Sequence, residues 1–181
     1  MSSRTRAAVA APLGLLTLLA ACGPGRNEFP PACPSATLVR PTADLIRYRA
    51  GSTGRDLTDV MLQGRIAGVN GACRRGDRNN TLAVTSRFSA EFSRGPAMQG
   101  RDADVLVFVA VTEGERILDK QIYQIRVSFP PNLDRITVTS GDVDMLLPVS
   151  QEKSGAAYTI IAGFQLTPEE LEANRMRAAG Q

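Results

Sequence analysis

Histidine and tryptophan are absent from this sequence, and aromatic residues make up only 5% of its 181 residues. Without histidine, the commonest general base, the Ser-His catalytic pair and the imidazole metal ligand are all excluded. Scarce aromatic rings also argue against a carbohydrate-binding platform of stacked side chains. The composition favours a protein that is not an enzyme and predicts no cofactor. An enzyme with a carboxylate-based site that sequence spacing does not reveal is the catalytic alternative.

Lysine is scarce as well, so arginine carries almost all of the positive charge. The full chain has 21 basic and 18 acidic side chains, for a formal net charge of +3. Removal of residues 1–21 takes away Arg4 and Arg6 but no acid, which leaves 19 basic against 18 acidic side chains. A chain this balanced gives no electrostatic case for a nucleic-acid partner.

Long apolar runs are also missing, apart from one that extends from Ala7 to Ala21 behind Arg4 and Arg6. This run is shorter than the roughly 20 residues that a helix needs to cross a bilayer. A positive segment, an apolar segment and then small residues form the pattern of a secretory signal. We therefore predict that residues 1–21 are a signal peptide and that the protein is exported.

The apolar run ends in Leu19, Ala20, Ala21 and Cys22, which resembles the lipobox of bacterial lipoproteins. That resemblance implies cleavage between Ala21 and Cys22, with a lipid on the Cys22 thiol that anchors the mature protein to a membrane. Gly23 stands where the family's inner-membrane retention signal has Asp, so the resemblance implies the outer membrane, facing the periplasm. The alternative is an ordinary signal peptide in which Cys22 falls by chance.

Two cysteines, Cys33 and Cys73, remain once Cys22 is assigned to the lipid. In an oxidising compartment a structural disulfide between them is the default expectation. The alternative is a reactive or metal-binding thiol pair, but the chain offers neither a CxxC spacing nor a histidine. The sequence therefore predicts a Cys33–Cys73 disulfide.

Residues 22–32 are rich in glycine and proline and predict a flexible tether, followed by one domain over residues 33–176. In the stretch from Thr81 to Ser93, apolar residues occupy even positions and polar ones odd positions, which indicates a strand with one buried face. The stretch from Val105 to Val111 is apolar on both faces, as in a central strand that is covered on each side.

Further alternating segments complete the fold prediction. The first two would form a hairpin whose open end brings Cys33 beside Cys73, with Pro41 marking an edge or a bulge. Short strands separated by turns favour an antiparallel β-sandwich, immunoglobulin-like in general architecture, and the alternative is a small closed β-barrel. The other predicted strands cover residues 36–49, 60–69, 117–129, 135–139, 143–149 and 158–164.

Thr167, Pro168 and Glu170 predict the start of a C-terminal helix through an N-cap hydroxyl, a first-turn proline and a capping box. The helix is expected to end near Met176, with a frayed tail over residues 177–181. The segment from Gly163 to Pro168, with Asn174-Arg175 after it, resembles the ending of a group of proteobacterial lipoproteins. That group is poorly characterised, so the resemblance transfers no activity to this chain.

Two polar clusters are candidates for a functional site. Arg74, Arg75 and Arg78 fall in a predicted loop over residues 70–80 that offers a possible partner surface, or simply a solvated loop. Asp142 and Asp144 supply too few oxygens for Ca²⁺, so no metal site is predicted.

The favoured function is a non-catalytic, lipid-anchored periplasmic module that binds or supports another envelope protein. A carrier of a small apolar ligand or lipid is the alternative, and it requires an internal cavity.

Overall fold

The computed structural model describes residues 32–52, 56–78 and 80–179. Nine strands and two α-helices are found in this part of the chain. The strands are β1 Ser35–Leu38, β2 Asp44–Tyr48, β3 Val60–Arg75, β4 Thr81–Arg94, β5 Asp102–Glu113, β6 Arg116–Ser128, β7 Arg135–Thr139, β8 Val143–Pro148 and β9 Thr159–Phe164. The helices are α1 Arg40–Ala43 and α2 Pro168–Ala179.

The strands form two sheets. Sheet A has the order β1-β9-β5-β6, with β1 parallel to β9 and the other pairs antiparallel. Sheet B has the order β2-β3-β4, and β7 and β8 lie end to end along the far side of β4. Neither sheet closes on itself within the described residues, so the predicted β-sandwich is confirmed over the closed barrel.

The core lies between the sheets and is built from alternate residues of each strand. The predicted pattern of β4 is confirmed, because its even-numbered apolar side chains are all buried. The rings of Phe92 from sheet B and Phe164 from sheet A meet edge to face with centroids 5.9 Å apart. Gly64 of β3 leaves room for them, since a Cβ atom there would lie 2.9 Å from both rings.

The predicted first strand over residues 36–49 is wrong, because the segment splits between the two sheets. β1 pairs with β9 in sheet A, and β2 pairs with β3 in sheet B. Helix α1, with Pro41 in its first turn, makes the crossing between them. Proline has no N–H to give to a sheet but fits a first helical turn, which explains why the chain leaves the sheet here.

The predicted disulfide is confirmed, with the Cα atoms of Cys33 and Cys73 5.7 Å apart. The route by which the two residues meet differs from the predicted hairpin. Cys33 precedes β1 of sheet A, whereas Cys73 belongs to β3 of sheet B. The bond therefore joins the two layers of the sandwich at one end.

Helix α2 begins as predicted. The Thr167 N–H donates to Glu170 Oε2 at 2.9 Å, and the Glu170 N–H donates to Thr167 Oγ1 at 3.2 Å, which is a capping box. The helix continues to Ala179, so the predicted frayed tail starts too early. Asn174 is buried and its amide donates to the carbonyls of Pro41 at 2.8 Å and Asp44 at 2.7 Å, which fixes α2 against α1 and β2.

Candidate functional site at the free edge of sheet A

β6 is an outermost strand of sheet A, and no other described strand pairs with its far side. It is 13 residues long and pairs with β5 through a tight turn at Gly114, whose φ of +58° is the left-handed conformation that glycine adopts readily. The exposed side of such a strand carries backbone N–H and C=O groups that another strand can bind. β6 therefore offers a template for an added strand.

An apolar strip lies on the outer face of sheet A beside this edge. Leu106 of β5 is 43% exposed and Ile122 of β6 is 54% exposed. Phe108 lies directly opposite Ile122 in the register of the two strands. Ile117 and Leu118 add exposed apolar area nearer to the turn. Exposed apolar side chains grouped in this way mark interaction surfaces more often than isolated ones do.

The strip corrects in part the prediction that the stretch from Val105 to Val111 is covered on each side. The odd-numbered valines of β5 are buried against sheet B. On the opposite face Ala110 is also buried, but Phe108 is half-buried and Leu106 is 43% exposed. The outer face of β5 is therefore covered near Ala110 and open to solvent beside Leu106.

Beside β6 lies a cleft of about 370 Å³. It separates β6 from the turn between β7 and β8 on sheet B. Tyr123 and Ile125 line it from β6, and Val138 and Val143 line it from the other side. Because successive side chains of a strand point to opposite faces, a strand added to β6 would place alternate residues in the cleft and over the outer strip.

Among the described residues of the edge, Lys120 lies on the outer face without a carboxylate partner. The Lys120 Nζ atom lies 4.5 Å from the centroid of the Phe108 ring, a cation–π contact. No acid in the described ranges forms an ion pair with Lys120. Arg126, by contrast, lies 3.8 Å from Asp102. A partner strand with an acidic residue opposite Lys120 would complement this charge.

The turn of the hairpin is tied to the loop that precedes β9. Glu113 accepts from Lys153 Nζ at 2.6 Å and from Arg116 Nη2 at 2.6 Å. These two bonds, that of Lys153 first, lower the pKa of Glu113. The carboxylate of Glu113, and then Tyr158, raise the pKa of Lys153, whose ammonium lies 4.7 Å from the Tyr158 ring. The hairpin is therefore held at its tip.

Comparison with known proteins finds no family model, no curated protein and no solved structure that matches this chain. The functional interpretation therefore depends on the side chains and sheet edges described above. No helix of the described residues has the length and apolar character needed to cross a membrane.

The three arginines singled out in the sequence do not lie in one loop. β3 continues to Arg75, and Arg74 and Arg75 pair with Ala83 and Leu82 of β4, so the loop prediction is wrong for residues 70–75. Hydrogen bonding to β4 extends the strand through this segment, although its polar composition is typical of a loop. Neighbouring residues of a strand point to opposite faces, so Arg74 and Arg75 diverge. Arg78 lies in the following turn, and the partner surface at these arginines remains a prediction.

The lipidation and cleavage residues, Ala21 and Cys22, lie outside the described residues, as do the signal peptide and residues 22–31 of the tether. Leu106, Lys120 and Ile122 were missed as site residues. A signal for them existed, since Ile122 is an apolar residue on the polar parity of its strand. An apolar residue at this position indicates a binding surface only if β6 is an edge strand, and alternation alone does not reveal which strands are edges.

Proposed function

We propose that this protein is a non-catalytic, lipid-anchored module of the periplasm that accepts an extended segment of an envelope protein as an additional strand beside β6. The observation that carries the proposal is the long free edge of β6 between an exposed apolar strip and a cleft. Strand addition derives its affinity from main-chain hydrogen bonds and its specificity from pockets for alternate side chains. The far side of β6 offers free main-chain groups, and the cleft offers space for one set of alternate side chains.

The geometry specifies the chemistry of the donor segment. Residues at one parity fill the cleft beside Tyr123 and Ile125, so they are apolar. Residues at the other parity cover Ile122 and Leu106 and include an acid near Lys120. The predicted signal peptide over residues 1–21 and the lipobox-like residues 19–22 support the periplasmic address of the partner, and the Cys33–Cys73 disulfide suits that oxidising compartment.

Ile122→Lys is expected to weaken docking at this edge, because it replaces an exposed apolar contact by a second positive charge beside Lys120. A photo-crosslinking residue at position Gln124 should capture one envelope protein in intact cells. Ile122→Lys should reduce the yield of this crosslinked product by about tenfold or more, because a loss of 1.4 kcal/mol in binding free energy corresponds to a factor of ten. Leu146→Lys is the matched control, because Leu146 is an exposed apolar residue, 71% accessible, on strand β8 of sheet B.

The position of the added strand is checked with a synthetic peptide of the crosslinked segment. On binding to the purified protein it should slow amide hydrogen exchange along β6. Slower exchange along β2 or β7 instead, or equal crosslinking in Ile122→Lys and wild type, would contradict strand addition at β6.

Cys22→Ser is expected to remove the lipid anchor. An alkyne fatty acid supplied to growing cells should label the wild-type protein and leave Cys22→Ser unlabelled. Cys33→Ser is the matched control, since it also removes one thiol but should keep the label. Mass spectrometry should find the mature wild-type chain starting at Cys22 with acyl groups attached. A mature chain that starts elsewhere and carries no acyl group would refute the anchor.

A further inference from the structure

The second surface of interest is a groove of about 440 Å³ on the outer face of sheet B, beside the last turn of α2. Its floor is formed by residues of β2, β3 and β4, among them the outward-facing Gln63, Glu91 and Ser93, and α2 forms one wall. It lies on the opposite sheet from the β6 edge and shares no residue with it. Arginines from four elements line it: Arg40, Arg65, Arg135 and Arg177.

Positive charge exceeds negative charge in the groove. Only Arg65 forms an ion pair among the lining residues, with Asp44 at 2.7 Å. Glu91, the other acid, lies opposite Arg65 in the register of β3 and β4. Arg40, Arg135 and Arg177 have no acid within ion-pair distance in the described part of the chain. Four guanidinium groups against two carboxylates leave two positive charges uncompensated.

Neutral partners hold two of these guanidinium groups in place. The Nε of Arg135 donates to Ser93 Oγ at 3.2 Å. Arg177 donates through Nη2 to the Asn174 amide oxygen, and the same amide donates to two backbone carbonyls. Because Asn174 is buried, it is a rigid support for Arg177. These bonds leave other N–H donors of each guanidinium available, since arginine has five.

The geometry points to a binding site for a phosphate-bearing anion in this groove. A phosphate group carries one or two negative charges, which the two uncompensated positive charges can neutralise, and the planar fork of arginine suits its oxygens. Two sources supply such a group: a free phosphate monoester, which is largely a dianion near neutral pH, and the phosphodiester of a lipid headgroup, which carries one negative charge. The inference does not depend on strand addition at β6, and each of the two can fail alone.

The test compares two double variants that remove the same charge. Arg135→Gln/Arg177→Gln removes arginines of the groove, whereas Arg87→Gln/Arg175→Gln removes two exposed arginines that lie outside it. Calorimetry with inorganic phosphate and pyrophosphate at low salt should show binding to wild type. The groove variant should bind at least about tenfold more weakly, because charge-assisted bonds are the strong ones, and the control should keep its affinity.

A separate arm identifies the source of the phosphate. Vesicles of phosphatidylglycerol and of phosphatidylcholine are mixed with wild type and with the groove variant, both prepared in the same way and with the same N-terminus. A loss confined to phosphatidylglycerol vesicles assigns the groove to a headgroup, and a loss confined to soluble phosphates assigns it to a free ester. Equal weakening in both double variants, or no binding of either probe by wild type, would overturn the proposal. Arg135→Lys keeps the positive charge, so it should bind the phosphate probes better than a variant with glutamine at this position. That result would show that the glutamine variant loses charge and is not merely misfolded.

Discussion

Reduction of the Cys33–Cys73 disulfide is expected to lower the free energy of unfolding by about 4 kcal/mol, because the bond closes a loop of 40 residues in the unfolded chain. That loss is a large fraction of the roughly 5–15 kcal/mol that stabilises a typical domain. Since Cys33 and Cys73 belong to different layers, the reduced protein also loses its covalent link between the two sheets. Urea unfolding with and without reductant measures the difference.

The control for this result is the Cys33→Ser/Cys73→Ser variant. It should match the reduced wild type in its urea midpoint, and reductant should leave that midpoint unchanged. If oxidised and reduced wild type unfold at the same urea concentration, the bond contributes nothing to stability and the expectation is wrong.

Phe92→Ala is expected to lower the free energy of unfolding by about 3–5 kcal/mol, the usual cost of removing a buried aromatic ring. Phe92 is fully buried, and its ring meets that of Phe164 across the two sheets. Gly64 adds no side chain on the β3 side, so no neighbouring side chain from that position can fill the space. Thermal and urea unfolding of the purified variant measure the loss.

The comparison for Phe92→Ala is Phe108→Ala, which removes the same ring from the half-buried outer face of sheet A. The loss there should be clearly smaller, since that ring is partly in water before the substitution. Equal losses in the two variants would show that Phe92 is not the central contact between the sheets. The double variant Phe92→Ala/Phe164→Ala should lose less unfolding free energy than the sum of the two single variants. The reason is that each single substitution already removes the same ring–ring contact.

Much of the fold follows from local patterns in the sequence. Alternation over residues 81–93 predicts β4, and the Thr167–Glu170 capping box predicts the start of α2. The segment with Pro41 was predicted as one strand because Leu38 and Leu45 both suit a strand. The chain changes sheets between them, which alternation does not record. The disulfide was predicted from compartment and cysteine count, although the hairpin used to support it was not the actual route.

The candidate sites could not be predicted in the same way. Whether β6 is an edge or a central strand depends on which strands pair over long separations in sequence. Likewise, Arg40, Arg135 and Arg177 stand far apart in the chain, and only the packing of α2 on α1 and β2 brings them to one groove. Alternation reports burial of a face and contains no information on the order of strands in a sheet.

The order of strands in sheet A also determines when the sheet can be completed during synthesis of the chain. β9 follows β1 and β5 in the sequence but lies between them in sheet A. During synthesis from the N-terminus, β1 therefore stays apart from the β5–β6 hairpin until β9, which ends at Phe164, is available to pair with both. Such long-range pairing slows folding. Sheet A is therefore completed only when β9 inserts between β1 and β5.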